Sequence, residues 1–193
     1  MVKRSFDIVT SFFGLILLSP VLLLITLLIK LKMNGRVFFR QKRVGRNGKL
    51  LWLLKFRTMI ENHNGSVITV KGENRITPLG AWLRKYKIDE LPELWNVLKG
   101  EMSLVGPRPD VPGYADTLRG EAREILSLRP GITGPATIKF YNEEEILAEK
   151  PDPRKYNDEI LYPLKTRINL YYLRHQNFWW DLKLIFKTVF RKY

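Results

Sequence analysis

Cysteine is absent from the 193 residues, which removes disulfides, thiol nucleophiles and cysteine-based zinc sites and leaves nothing that points to an oxidising compartment. Histidine is nearly absent: His63 and His175 lie far apart, match no zinc-ligand spacing and read as ordinary surface or interfacial residues. Negative charge is thin, with 19 Asp and Glu against 33 Lys and Arg, a net charge of +14. Such a balance asks for a polyanionic partner, whether nucleic acid, anionic lipid or a phosphorylated substrate. No helix-turn-helix, RNA-recognition or zinc signature accompanies the charge, which argues against nucleic acid. Internal repeats and low-complexity segments are also missing. No small-residue cleavage site follows the N-terminal apolar region, so it does not read as a signal peptide.

That apolar region is the most conspicuous thing present. Residues 8–29 contain 22 positions without a charge, preceded by Lys3, Arg4 and a bordering Asp7 and followed by Lys30, Lys32 and Arg36. As a straight helix the run is ~33 Å long, enough for a hydrocarbon core of ~30 Å. Pro20 interrupts it near the middle, removing a donor and displacing the carbonyl of Ile16. Ser19 beside it can hydrogen-bond the freed backbone, as in broken membrane helices. The halves reach only ~18 and ~15 Å, about one leaflet each. Both flanks are basic, which assigns both ends to the cytoplasm. From the residues alone, a re-entrant and a spanning helix both remain open, because Pro is tolerated in spanning helices. Residues 1–36 are expected to form this membrane element, and 37–193 a cytoplasmic or interfacial domain.

After it the pattern changes. Residues 37–43 and 50–56 read as a hairpin around Asn47-Gly48, two residues that tolerate positive φ. Its arms carry Arg40, Lys42, Arg43, Lys49, Lys55 and Arg57, either a membrane-facing basic patch or a phosphate-gripping wall. Residues 61–74 read as a polar loop with Asn64-Gly65 and Lys71-Gly72 as turn markers. Thr77 caps a helix that has Pro78 at its first position; Arg84 and Lys85 lie on it. Residues 114–127 read as another amphipathic helix. Residues 142–158, with Glu143, Glu144 and Glu145 in a row, read as a solvated acidic segment. A last helix places Phe178, Leu182, Ile185 and Val189 on one face with Trp179 and Phe186, suited either to a headgroup layer or to a core.

The chain is organised around residues 87–109. Asp89 and Glu90 open what reads as a short helix with Pro92 in its first turn; Leu91, Leu94, Trp95 and Leu98 recur at helical spacing, and Gly100 stops it. A short apolar run, 102–105, leads into Gly106-Pro107-Arg108-Pro109, a rigid turn carrying a guanidinium. Acidic residues at a helix start also cap free N–H groups. With an arginine nearby they equally form a site for metal-bound phosphate.

Across essentially its whole length the chain resembles the bacterial sugar transferases that act as monotopic phosphoglycosyl transferases. The resemblance is carried by Lys55-Phe56-Arg57-Thr58-Met59, Asp89-Glu90-Leu91-Pro92, Leu94-Trp95-Asn96-Val97-Leu98, Met102-Ser103-Leu104-Val105-Gly106-Pro107-Arg108-Pro109 and Arg129-Pro130-Gly131-Ile132-Thr133-Gly134. Lys3-Arg4-Ser5-Phe6-Asp7 and the Ser19-Pro20 break resemble the family's first segment, which implies a re-entrant membrane helix with both termini cytoplasmic. The implied fold is mainly α with a small β-hairpin, with amphipathic interfacial helices around a cytoplasmic catalytic domain at the bacterial inner membrane.

The resemblance further implies a two-step exchange. A nucleotide diphosphate-sugar donor, usually a UDP-sugar, gives its phospho-sugar to the enzyme and releases UMP; polyprenyl (undecaprenyl) phosphate then accepts it. Asp89 is implied as the nucleophile and a Mg²⁺ ligand, and Glu90 as a positioning or proton-handling partner. Arginine forks match phosphate, so Arg84, Arg108 and Arg129 are candidate clamps with Lys55 and Arg57 behind them. After Gly134 the chain departs from the family's commoner Trp-Ala-Gln and reads Pro135-Ala136-Thr137. It also lacks the large N-terminal membrane domain of longer relatives, an expectation of the minimal form. A non-catalytic membrane-anchored adaptor is the competing reading; it leaves the pattern from Asp89 to Arg108 unexplained.

Overall fold

The computed structural model describes residues 2–60 and 75–190; the polar loop expected at 61–74, with its turn markers and His63, lies outside the described residues. Helix α1 (Val2–Lys32) runs unbroken through Pro20. The Ser19 hydroxyl donates to Ile16 O at 2.7 Å, satisfying the carbonyl that Pro20 cannot serve. Few α1 side chains are buried (Asp7, Ser11, Ile25 and Ile29), while Phe13, Leu23 and Leu17, the last 79% exposed, stand open along its length.

Both ends of α1 are fastened to one folded body. Near its start, Arg4 donates to Val97 O and Leu98 O at 2.7 and 3.1 Å. Asp7 accepts from the Ser103 hydroxyl at 2.8 Å and from Leu104 N at 3.1 Å. Past its end, Arg57 donates to Asn34 O at 2.7 Å and Met33 O at 3.0 Å, supplying donors where the helix runs out of its own. Ile25, Ile29 and Met33 pack with Phe56 and Leu83 in one apolar cluster.

Strands β1 (Phe38–Val44) and β2 (Leu50–Phe56) form the expected antiparallel hairpin, with Arg40 opposite Leu54 and Val44 opposite Leu50. Asn47 (φ 57°) and Gly48 (φ 77°) take the positive φ their identities suggest. They do so inside a longer turn closed by Gly45 N to Lys49 O at 2.8 Å. Helix α2 (Pro78–Lys85) is capped by Thr77, whose hydroxyl accepts from Gly80 N at 3.0 Å. Asp89 and Glu90 do not open the next helix. They occupy a separate 3₁₀ turn (Ile88–Glu90), entered through Lys87 at φ 54°, and helix α3 (Glu93–Lys99) starts only after Pro92. Gly100, at φ 87°, ends α3 in the left-handed conformation that favours glycine.

Strand β3 (Ser103–Val105) pairs in parallel with β4 (Gly131–Thr133), Ser103 against Gly131 and Val105 against Thr133. The two proline- and glycine-rich motifs of the sequence are thus neighbours. They approach so closely that a Cβ on Gly106 would lie 2.3 Å from Arg129 O. Residues 114–127 are not one amphipathic helix: 3₁₀ turns at Ala115–Thr117 and Gly120–Ser127 replace it, with Gly120 at φ 55° between them. Ile125 and Leu126 still point inward, so the apolar periodicity was read correctly and the backbone was not.

Helix α4 (Pro135–Lys139) follows β4, and the acidic segment folds as α5 (Glu143–Ala148) and α6 (Pro153–Tyr156). Solvation alone does not describe it, because Leu147 is buried and two of its glutamates hold cations, as described below. After a π-helical turn come α7 (Tyr162–His175) and α8 (Phe178–Val189). Helix α8 takes both of the roles left open for it. Leu184 joins a core of Leu51, Leu53, Val97, Met102, Leu104, Val105 and Tyr172, whereas Trp179 is 77% exposed along with Phe186 and Val189. Asp181 is buried, accepting from Lys3 and from the Tyr172 hydroxyl, both at 2.5 Å.

Candidate active site

Asp89 and Glu90 share one short turn and are both buried, yet their surroundings differ sharply. Glu90 Oε1 accepts from Lys55 Nζ at 2.8 Å and from Arg108 at 2.6 Å. Lys55 comes from the end of β2 and Arg108 from the turn after β3, so the sheet edges deliver the cations. Burial pushes the Glu90 carboxyl up, but Arg108 and Lys55 outweigh it and hold it well below the usual carboxylate range. Asp89 has no such hydrogen-bonded partner, although Lys55, Lys87 and Arg84 act on it electrostatically. Its Oδ1 is buried with no hydrogen-bond partner, and burial, with the Glu90 charge adding to it, pushes its pKa up to about 6. One carboxylate is neutralised in place; its neighbour keeps a buried oxygen without a hydrogen-bond partner.

A third carboxylate belongs to this cluster, one that the sequence reading passed over. Glu93, 2% exposed, lies 3.2 Å from Lys55 Nζ, so the ammonium sits between Glu90 and Glu93. Burial lifts Glu93 to about 7, against the pull of Lys55. The only sequence signal was an acidic residue in the first turn of α3, indistinguishable from ordinary helix charging. Asn96, named in the sequence only as part of the Leu94–Leu98 motif, ties the hairpin to α3: it accepts from Leu54 N at 3.1 Å and donates to Trp52 O at 2.8 Å. Arg43, one of the hairpin cations expected to form a basic patch or phosphate wall, lines the cleft that holds the dyad and is lowered to about 10 by burial and by Arg108.

The remaining expected residues divide. Lys55, Arg57, Arg84 and Arg108 all line the same cleft as the dyad, but Arg129 does not. Arg129 donates to Gly100 O at 3.0 Å and so braces the end of α3. Arg57 lines the cleft but holds the carbonyls after α1. Arg84 is ion-paired with Glu144 of α5, while Glu143 takes Lys165 of α7 at 3.0 Å. Ser19 and Pro20 lie on α1, away from the cleft.

The cleft encloses about 2350 Å³, well above the ~300–1,000 Å³ of a single small-ligand pocket. Among the described residues no group of three His, Asp or Glu side chains could hold a metal by itself. Mg²⁺ does not need one, since it commonly binds through one or two carboxylates and completes its shell with substrate phosphate and water. The unpartnered Asp89 Oδ1, in a cleft with room for phosphate, fits that mode.

These features make a cleft suited to a large anion, with one unpaired carboxylate on its wall. Residues 1–192 match the family described as bacterial sugar transferase, and the chain belongs to that family. It is 38% identical, over 98% of its length, to a UDP-glucose:undecaprenyl-phosphate glucose-1-phosphate transferase of Klebsiella pneumoniae, covering 39% of that protein. It is 35% identical to a UDP-N-acetylgalactosamine-undecaprenyl-phosphate N-acetylgalactosaminephosphotransferase of Aeromonas hydrophila, over 97% of the chain and 43% of the relative. An exopolysaccharide production protein of Rhizobium meliloti, ExoY, is 33% identical over 98% of the chain and 84% of its own length. The chain therefore spans about two fifths of the first two relatives and most of the third.

Proposed function

We propose that this chain transfers a sugar-1-phosphate from a nucleotide diphosphate-sugar, a UDP-sugar in the first instance, to polyprenyl (undecaprenyl) phosphate and releases UMP. The product, a polyprenyl diphosphate-sugar, starts membrane glycoconjugate assembly. The observation that carries the reading is the unpaired Asp89 carboxylate beside a Glu90 already neutralised by Lys55 and Arg108. The names of the relatives supply the substrate classes.

Phosphoryl transfer demands in-line positioning and charge neutralisation more than covalent help from the protein, and a carboxylate is an established covalent acceptor of phosphate. In the first step an Asp89 oxygen bonds to the sugar-bearing phosphorus. The bridging P–O bond breaks, and its electron pair leaves with UMP. In the second, a phosphate oxygen of the polyprenyl acceptor attacks the same phosphorus and the Asp89 carboxylate departs, restored. No net proton is needed in either step. Arg108 and Lys55 hold Glu90 anionic and fixed, so the turn that carries Asp89 does not shift as charge moves. Asp89 is the residue that would hold Mg²⁺, which would supply neutralisation of phosphate charge.

The acceptor is a lipid, and the fold suits one. Helix α1 is long and apolar enough to cross a bilayer. Its two ends nevertheless hold the same body through Arg4, Asp7 and the Arg57 bonds, which supports a re-entrant arrangement. Both termini and the cleft then face the cytoplasm at the inner membrane, residues 1–36 forming the membrane element and 37–193 the catalytic part. The exposed aromatics of α8 suit a headgroup layer.

The test is UMP release from a panel of UDP-sugars by detergent-solubilised protein with Mg²⁺ and polyprenyl phosphate. Release by wild type and none by Asp89→Asn is expected. Equal turnover by the mutant overturns the covalent role, and no release from any donor overturns the reaction.

A further inference from the structure

Helix α7 buries the wrong kind of residue. A helix packed on a domain ordinarily turns its apolar stripe inward. Here the half-buried Tyr162 and Lys165 and the buried Thr166 and Asn169, spaced at helical repeats, face inward ahead of the core residue Tyr172, while Leu164 and Tyr171 stand exposed. All four inward residues line the cleft that holds Asp89, and Thr137 of α4 and Asp110 line it too. Buried polar atoms in folded proteins nearly always have partners. Asn169, itself 7% exposed, has a buried Oδ1 with none, and neither has Thr137 Oγ1.

This polar stripe begins where the dyad's cation cluster ends. Asp110 follows Arg108 by two residues, and Glu143 faces both of them electrostatically. Lys165 is engaged by both carboxylate oxygens of Glu143, at 3.0 Å each, and also faces Asp110, so two carboxylates offset its charge and weaken its claim on a second phosphate. A nucleobase asks for a flat aromatic face, but the one aromatic ring of the stripe, Tyr162, is packed edge-on against Tyr114 at 5.1 Å. What remains are the Thr137 hydroxyl and the Asn169 amide, with the Tyr162 hydroxyl facing the Asp110 carboxylate and interacting with it; these groups donate and accept side by side as sugar hydroxyls do.

Resting on the reaction proposed above, we infer that Thr137, Tyr162 and Asn169, with Asp110, form the subsite that receives the pyranose of the donor and discriminates between sugars. The phosphates then lie at the Arg108 end, and the hydroxyls of the sugar complete the two polar atoms that the protein leaves unpaired. A site built to hydrogen-bond a hydroxyl discriminates strongly against a sugar lacking it in that position, because the protein group is again left unpaired.

The experiment compares Thr137→Val and Tyr162→Phe, both close in shape to the residues they replace, with wild type. UMP release is measured from UDP-glucose, UDP-galactose, UDP-N-acetylglucosamine and UDP-N-acetylgalactosamine, and inhibition by UMP is measured in parallel. The expected result is a change of roughly tenfold in the kcat/KM ratio between the best and second-best sugars, about the worth of one hydrogen bond, with UMP inhibition unchanged. Where one variant fails to fold, judged by its melting curve, the other and Asn169→Leu carry the same comparison. Active variants whose sugar ratios equal those of wild type overturn the subsite while leaving the reaction standing. UMP inhibition that weakens together with all four sugars reassigns the stripe to the nucleoside and also overturns it. Wild type that uses no donor overturns the reaction itself, a separate outcome.

Discussion

Arg108 reaches Glu90 at 2.6 Å, joining the turn after β3 to the turn that carries the dyad. The pair is held on a buried carboxylate oxygen that Lys55 also occupies, so Glu90 is the fixed point of the site and Arg108 one of its two fastenings.

Removing that fastening has two consequences that separate experimentally. Arg108→Ala leaves Glu90 buried with Lys55 alone and costs about 1–3 kcal/mol of stability, less than a fully buried pair because Arg108 remains about a third exposed. UMP release falls about a hundredfold or more, since both the dyad and the phosphate lose a cation. Arg108→Lys restores most of the stability and little of the rate, because a point charge does not replace the fork. Melting curves and initial rates of both variants check this.

Asp89 is held at a cost to the fold. Its folded pKa of about 6 lies above the ordinary value, so the fold favours the protonated form. That stabilisation is complete below the unfolded pKa and is lost as pH rises through about 6. Asp89→Asn, which never ionises, is therefore expected to be more stable than wild type at pH 8 without divalent ions, by about 1–3 kcal/mol, with the gain shrinking toward pH 4. Denaturant melts at the two pH values decide it.

The same shift sets an acid limb on activity. On the proposed mechanism the Asp89 carboxylate attacks phosphorus, so UMP release is expected to decline as pH falls through and below about 6, approaching tenfold per pH unit. A rate flat from pH 5 to 8 would remove Asp89 as the titrating nucleophile.

Glu144 is ion-paired with Arg84, a candidate phosphate clamp in the proposed reaction. Both side chains retain some exposure, so the pair is weak. Glu144→Gln is expected to lower the KM for the nucleotide-sugar by about two- to fivefold, with kcat little changed. A KM that stays put or rises shows that the two residues merely brace α2 against α5.

The tethering of α1 predicts that reporter tags at both termini stay on the cytoplasmic face. Adding Arg4→Ala and Arg57→Ala together loosens both ends, leaving the Asp7 and Lys3 bonds and the packing of Ile25, Ile29 and Met33, and a fraction of the molecules is then expected to expose the N-terminus on the far side. Protease accessibility in oriented vesicles reads out both results.

Much of this was legible in the residues, for identifiable reasons. Asn47-Gly48, Thr77-Pro78 and Gly100 each have a backbone preference strong enough to act locally, and each lies in the turn, cap or stop it suggested. Asp89, Glu90, Lys55 and Arg108 could be nominated together because the chemistry of phosphate asks for that set. What sequence could not say is which partner each charge chooses. Arg57, Arg84 and Arg129 read alike as free clamps, yet one closes a helix, one meets a glutamate and one braces α3. Glu93 looked like ordinary helix charging because its significance lies in Lys55, distant in the chain. The run 114–127 has helical periodicity, but Gly120 at positive φ breaks the backbone while leaving the pattern visible.

The contact of Lys3 with Asp181 joins the third residue of the chain to one near its end. The N-terminal end of α1 is thus closed by residues that come far later in the sequence: Val97, Leu104 and Asp181. A truncation ahead of residue 181 removes the Lys3 partner while leaving α1 whole, so the helix is expected to keep its apolar length and lose its last fastening.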